Sequence, residues 1–423
     1  MKKYSFTHVF VALLLVGACS VTDKKNKELH KLDLTNAGTL FIASNDMQKH
    51  NSDADRMSVS GQSERTTLFK ITDEGYIEEV SYLDEDGNEV SYTLYPTGVF
   101  NVNEEYLIII FGYGTTGYLV RKSDGAAFTL MDVGFPMKGS GGHLNWPRVH
   151  TDDRNNAYYR SADYLGDDAW NHFVLRINLN NPAQLTAQAI SPAQEDVGFF
   201  LVNRNGDVLY DGISTSPRVI FAEGGLVNTP VNTSDFWLGS DREFYGLTYI
   251  QHGVNQIRRL EVRNRELIPE DYGQALDIWF MTDAVFVLNL LEKVYIVNTA
   301  GPVGEVFEVN NPQNIPKRVQ GLNMATIQHA VASDRYYYLS GTDEANRPTL
   351  LKVDAQTNTP VPLLPPGQYD IYNMAVSNED LLSFSALRMQ DGKRVVGQVN
   401  AGGSLEILDE DMDADVIVLE RIN

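Results

Sequence analysis

The chain has 423 residues, 43% of them hydrophobic, and carries 34 lysines and arginines against 56 aspartates and glutamates, for a formal net charge of −22. So acidic a surface excludes nucleic acid as a natural partner and disfavours an electrostatic hold on anionic lipid headgroups. A single cysteine excludes any intramolecular disulfide, so the fold must stand without covalent cross-links.

Met1-Lys2-Lys3 supplies a cationic start, Val9 to Val16 an apolar run too short to span a bilayer, and Gly17-Ala18 the small residues a signal peptidase needs before Cys19. The tetrad Val16-Gly17-Ala18-Cys19 resembles the lipobox of bacterial lipoproteins. That resemblance implies cleavage between Ala18 and Cys19, acylation of Cys19, and attachment to a membrane of the cell envelope. Ser20 stands where an aspartate would favour inner-membrane retention, which implies the outer membrane. The expected organisation is a signal peptide over 1–18, a lipidated cysteine and polar tether over 19–38, and a folded domain over 39–423.

From Thr39 onward no amphipathic helix is evident, and short apolar or aromatic runs alternate with Gly, Asn and Asp clusters, an all-β pattern. One unit recurs: an apolar strand, a tight acidic turn, then a second aromatic or aliphatic strand. It is seen at 99–111, 148–160, 199–211, 236–249, 278–289, 330–340 and 374–385. Its turn residues Glu104, Asp153, Asn205, Asp241, Asp283, Asp334 and Glu379 follow one another at intervals of 36 to 52 residues. Each hairpin leads into further strands, as in TLLKVDAQTNTPVPLL (349–364), where a strand ends in Asp354 and resumes after a polar turn. The repeat resembles the blade of a β-propeller.

Eight blades are preferred, with seven as the alternative. TLFIAS (39–44) and 68–80 lack an innermost strand, and VIVLERI (416–422) is a strand without a partner. The C-terminal strand is therefore expected to close the ring and to leave no terminal edge exposed. Two polar insertions stand out, 44–67 and the glycine-rich 134–147. The second carries Lys138, His143 and Trp146 and forms the candidate binding loop.

Tempting motifs fail on context. Gly112 to Gly117 matches G-x-G-x-x-G, but a strand follows where a helix N-terminus is needed for a pyrophosphate, so it reads as a hairpin. Asp84, Asp86 and Asn88 have calcium-loop spacing without the glutamate of position twelve, which is Tyr95 here. Asp409, Asp411, Asp413 and Asp415 form a denser carboxylate run, the one candidate for calcium. No other cofactor is expected. Histidines do not cluster, no nucleophile elbow exists, and no catalytic residue is assigned. The expected function is a membrane-anchored envelope scaffold that binds another envelope protein through a propeller face. A polysaccharide-binding or polysaccharide-active propeller and a surface adhesin are the alternatives.

Overall fold

A computed structural model describes residues 29–44, 66–90, 95–111, 116–130, 149–166, 169–181, 187–192, 199–211, 218–228, 233–238, 242–251, 254–263, 266–271, 285–291, 293–298, 303–309, 317–410, 412 and 415–422. The first described strand is the short β1 (Lys31–Leu32), followed by β2 (Ala37–Ser44), β3 (Thr66–Thr72), β4 (Ile77–Glu79) and the short β5 (Tyr82–Leu83). The second sheet holds β6 (Pro96–Asn101), β7 (Tyr106–Phe111), β8 (Thr116–Arg121) and β9 (Ala127–Thr129). The third holds β10 (His150–Thr151), β11 (Asn156–Gly166), β12 (Ala169–Asn178) and β13 (Ala187–Ala189). The fourth holds β14 (Phe199–Val202), β15 (Val208–Asp211), β16 (Arg218–Ile220) and β17 (Leu226–Asn228). The fifth consists of β18 (Thr233–Leu238), β19 (Phe244–Gln251), β20 (Val254–Arg263) and β21 (Glu266–Asp271). The sixth consists of β22 (Val285–Leu290), β23 (Lys293–Asn298), β24 (Glu305–Val309) and β25 (Lys317–Arg318). The seventh comprises β26 (Met324–Ala332), β27 (Tyr336–Asp343), β28 (Pro348–Asp354) and β29 (Thr359–Pro362), and the eighth β30 (Tyr369–Val376), β31 (Leu381–Arg388), β32 (Lys393–Asn400) and β33 (Leu405–Asp409). The last strand, β34 (Asp415–Arg421), returns to the first sheet, whose order is β34-β2-β3-β4. Among the described residues these are eight four-stranded antiparallel sheets, all of consecutive strands except the first, which β34 completes, together with a two-stranded sheet of β1 and β5, arranged as a β-propeller.

Alternation along each second strand explains how the sheets stack. Leu107, Ile109 and Phe111 of β7 pack toward the first sheet, whereas Tyr106, Ile108 and Ile110 pack toward the third. In the same way Leu40 and Ile42 of β2 face the second sheet, and Phe41 and Ala43 face the eighth. Tyr337 and Tyr338 are both fully buried, one in the core with the sixth sheet and the other in the core with the eighth. These three second strands are thus apolar on both faces, whereas β31 buries Ser383 and Ser385 on one of its faces.

The sequence reading ran a tether to residue 38, but packing begins earlier, at Leu29. Leu29, Leu32 and Leu34 are buried in the core between the first two sheets. Flanking backbone bonds fix them: His30 N–H donates to Leu83 O at 3.0 Å, Leu32 N–H to Gly125 O at 2.9 Å, and Ala127 N–H to His30 O at 2.9 Å. The buried Lys70 ammonium locks the next turn, donating to Asp33 Oδ2 at 3.3 Å and Thr35 O at 3.1 Å. Burial pushes the Asp33 carboxyl up, but hydrogen bonds from Thr35 and the charge of Lys70 outweigh it and hold the group below its ordinary range. Three leucines spaced through a polar stretch had looked like a tether because their partners lie on other sheets.

Gly125 makes this docking feasible. Its φ is 71°, and a Cβ there would lie 1.8 Å from Leu32 O. Gly125→Ala should therefore dislodge the 29–34 wedge, while Leu32→Ala should cost about 2–5 kcal/mol as a buried large-to-small change. Denaturant unfolding together with amide exchange of 29–34 checks both outcomes.

Closure is made by β34 on β2, in a register running from Thr39↔Arg421 to Ser44↔Asp415. Near its end the largely buried Glu420 accepts from Asn101 N–H at 3.3 Å, and Asn101 Nδ2 donates to Arg421 O at 3.0 Å, which ties the closing strand to the second sheet. Burial pushes the Glu420 carboxyl up to about 7, against the Asn101 bond and the charge of Lys122. The folded protein therefore retains this proton at pH values where the unfolded chain, with a carboxyl near 4.5, has lost it. Stability contributed here is complete at low pH, declines as pH rises through 4.5 to 7, and is lost above that window. Glu420→Gln should thus stabilise the fold at pH 8, by about 3 kcal/mol at most, and have little effect near pH 4. Thermal midpoints of both proteins across this range give the measurement.

Candidate functional site

One face of the ring is formed by the turns between first and second strands, five of which are closed by a side-chain cap among the described residues. Asn103 Oδ1 accepts from Glu105 and Tyr106 N–H, both at 2.8 Å. Asp152 Oδ1 accepts from Arg154 and Asn156 N–H, both at 2.9 Å, and Asn203 Oδ1 from Asn205 N–H at 3.0 Å and Asp207 N–H at 2.9 Å. Ser333 and Ser377 hydroxyls play the same part in the seventh and eighth sheets. In these five turns the capping residue lies one or two positions before the turn residue that marks the repeat, Glu104, Asp153, Asn205, Asp334 or Glu379. Asp241 and Asp283 lie outside the described residues, and the sixth sheet's hairpin pairs Val285–Leu290 with Lys293–Asn298 rather than turning at Asp283.

Neighbouring turns are also tied together. Asn103 Nδ2 donates to Asn155 Oδ1 at 3.1 Å, and Ser333 Oγ donates to Asp380. Asp153 receives Arg204 Nε at 3.1 Å and Arg242 Nη1 at 2.6 Å, drawing three successive sheets onto one carboxylate. Much of the polar chemistry of this face is consumed internally. Asp84 behaves likewise: its Oδ1 accepts from Asp86 N–H at 3.0 Å and Asn88 N–H at 2.9 Å, a turn built around Gly87 with φ 78°.

The long connections between described strands are 45–65, 84–95, 130–149 and 272–284, most of whose residues lie outside the described ones. Lys138, His143 and Trp146 belong to this set and lie outside the described residues, as do Ala18 and Cys19. Of the acidic run, Asp409 ends β33 and Asp415 opens β34, whereas Asp411 and Asp413 lie outside the described residues. Asp415 Oδ1 is ion-paired with Arg394 Nε at 2.8 Å. Among the described residues no three His, Cys, Asp or Glu side chains gather as metal ligands.

A cluster that spacing along the sequence did not reveal lies on innermost strands of the seventh, eighth and first sheets. β26, β30 and β34 pack side by side here. His329 on β26 is lowered in pKa by burial and raised by Asp370 on β30. Asp370 is in turn raised by burial and lowered by His329. Tyr372, two residues along β30, is 42% exposed, and its hydroxyl feels Asp370, Arg394 and Asp415 in addition to burial. Asn373 Nδ2 donates to Val416 O at 2.8 Å and sets the level of β30 against β34. One aromatic ring, one imidazole, two carboxylates and a guanidinium are therefore assembled from four strands. The only sequence signal was the break in apolar alternation at Tyr369-Asp370-Ile371-Tyr372-Asn373.

No protein-family model matches the chain, and no curated protein matches it in sequence. Among solved structures it is similar to the β-propeller domain of the Trilobed protease from Pyrococcus furiosus, with 11% identity and a TM-score of 0.47 over 75% of this chain and 98% of that one. It is also similar to a prolyl endopeptidase, with 13% identity and a TM-score of 0.49 over 77% of this chain and 51% of that one. An oligogalacturonate lyase in complex with manganese shares 9% identity and a TM-score of 0.43 over 75% of this chain and 85% of that one. The chain spans about half the length of the endopeptidase. These likenesses concern architecture, and no activity comes with them.

The mutual influence of His329 and Asp370 has a defined sign. Because the carboxylate favours the imidazolium, Asp370→Asn should lower the His329 pKa further below its ordinary value. Ring-proton shifts followed by NMR through a pH titration will show this, and an unchanged or higher pKa would mean the two groups do not interact.

Proposed function

We propose that this chain is a lipid-anchored, eight-bladed propeller that serves as a binding scaffold in the bacterial cell envelope, attached to the outer membrane through Cys19. The blade count is supported by the eight four-stranded sheets and by the apolar cores between successive sheets. Among the described residues no such core joins the fifth and sixth sheets. An experimental density map with seven sheets around the axis would overturn the count.

The observation that carries the anchoring reading is the tetrad Val16-Gly17-Ala18-Cys19 behind a short apolar run, and the wedge docked at Leu29 bears on how closely such an anchor would hold the domain. Only about ten residues separate Leu29 from Cys19, so even fully extended they reach roughly 35 Å. A domain held so closely has restricted orientation, which suits a scaffold that presents a chosen face. Acyl chains contribute about 0.8 kcal/mol per buried CH₂, and two or more hold a protein stably on a bilayer. The acidic surface supports a protein partner over nucleic acid.

The expected behaviour is that the wild-type protein fractionates with membranes and incorporates labelled fatty acid. Cys19→Ser should yield a folded, unlabelled protein that has lost its in-cell crosslinks to the envelope partner. Labelling that survives Cys19→Ser would sink the anchor assignment, and crosslinks that survive it would sink the dependence of the scaffold on position.

A further inference from the structure

Tyr372 on β30 and Ile417 on β34 are 42% and 40% exposed, and they lie on neighbouring innermost strands held level by the bond from Asn373 to Val416 O. The apolar surface they leave in water is bordered by polar groups of three kinds. Arg394 and Asp415 form an ion pair at 2.8 Å, and Tyr372 also feels Asp370 on its own strand, which interacts in turn with His329. A large ring left 42% exposed on an innermost strand is ill suited to core packing.

We propose that this rim is a binding site for a neutral oligosaccharide. A pyranose has an apolar C–H face and a border of hydroxyls that both donate and accept. An aromatic ring takes the first, and carboxylate, guanidinium and imidazole groups take the second. Charge selects the neutral class. Asp370 and Asp415 stand at the site, Arg394 is already paired, and the whole chain carries −22, so an anionic sugar would meet net repulsion. The site requires neither the lipid anchor nor a protein partner, and its failure would leave both of those readings standing.

The test is calorimetric titration of the full mature protein in detergent with cellohexaose, xylohexaose, mannohexaose and maltohexaose, and with an oligouronate as the anionic control. At least one neutral hexaose should bind. Tyr372→Ala should weaken that binding about tenfold, as loss of a stacking contact, with its thermal midpoint unchanged, since the side chain is exposed. Tyr372→Phe should retain binding, and Asp370→Asn should weaken it. No binding by any neutral hexaose at millimolar concentration, preference for the oligouronate, or affinity indifferent to Tyr372→Ala would each overturn the proposal.

Discussion

The fold depends on every sheet finding a neighbour on both faces. A four-stranded sheet with apolar residues on both sides, such as the one containing Tyr106 to Phe111, cannot exist alone in water. Stacking the sheets in a row would leave two apolar faces, and closure removes them. The pairing of β34 with β2 allows Phe41, Ala43, Ala375, Val396 and Leu419 to form a core between the last sheet and the first. Residues more than 370 positions apart thus share one hydrophobic cluster, and the loop-closure entropy this demands is offset by the burial around the whole ring.

Closure also carries its own electrostatic tension. Glu420 and Arg421 sit side by side at the end of the closing strand, and burial opposes the charged form of each. The bond from Asn101 and the charges of Lys122, Asp73 and Glu379 compensate in part. The junction of the first two sheets is reinforced differently, by a wedge of chain inserted between them. Two distinct devices therefore secure the first sheet, the only one assembled from both ends of the chain.

Function follows from a division among the polar side chains. On the face of short turns, Asn103, Asp152, Asn203 and their counterparts spend their oxygens on backbone N–H groups, which makes those turns compact and self-sufficient. Away from these turns, Tyr372, Asp370, His329 and the Arg394–Asp415 pair are drawn together from four strands. That division supports both a scaffold role and a small-ligand site, because they draw on different parts of the molecule.

Local order was readable in the sequence because local physics sets it. Strand alternation, turn residues and the repeat interval announce an all-β chain of hairpins, and a C-terminal strand without a partner announces closure. The motif 112–117 reads as a hairpin, and Phe111↔Thr116 pairing places it between adjacent antiparallel strands. The end of the tether was misread at residue 38 because Leu29, Leu32 and Leu34 are apolar toward partners such as Leu40, Leu68 and Tyr118, distant along the chain. Which polar residues form a site was equally hidden: His329, Asp370, Arg394 and Asp415 belong to four strands, and no spacing within any one strand marks them. The sequence by itself determined the strands, their turns and the means of closing the ring, since each rests on neighbours a few residues away. Only the tertiary structure decided which side chains meet across sheets and at the axis, because those encounters depend on the ring having closed.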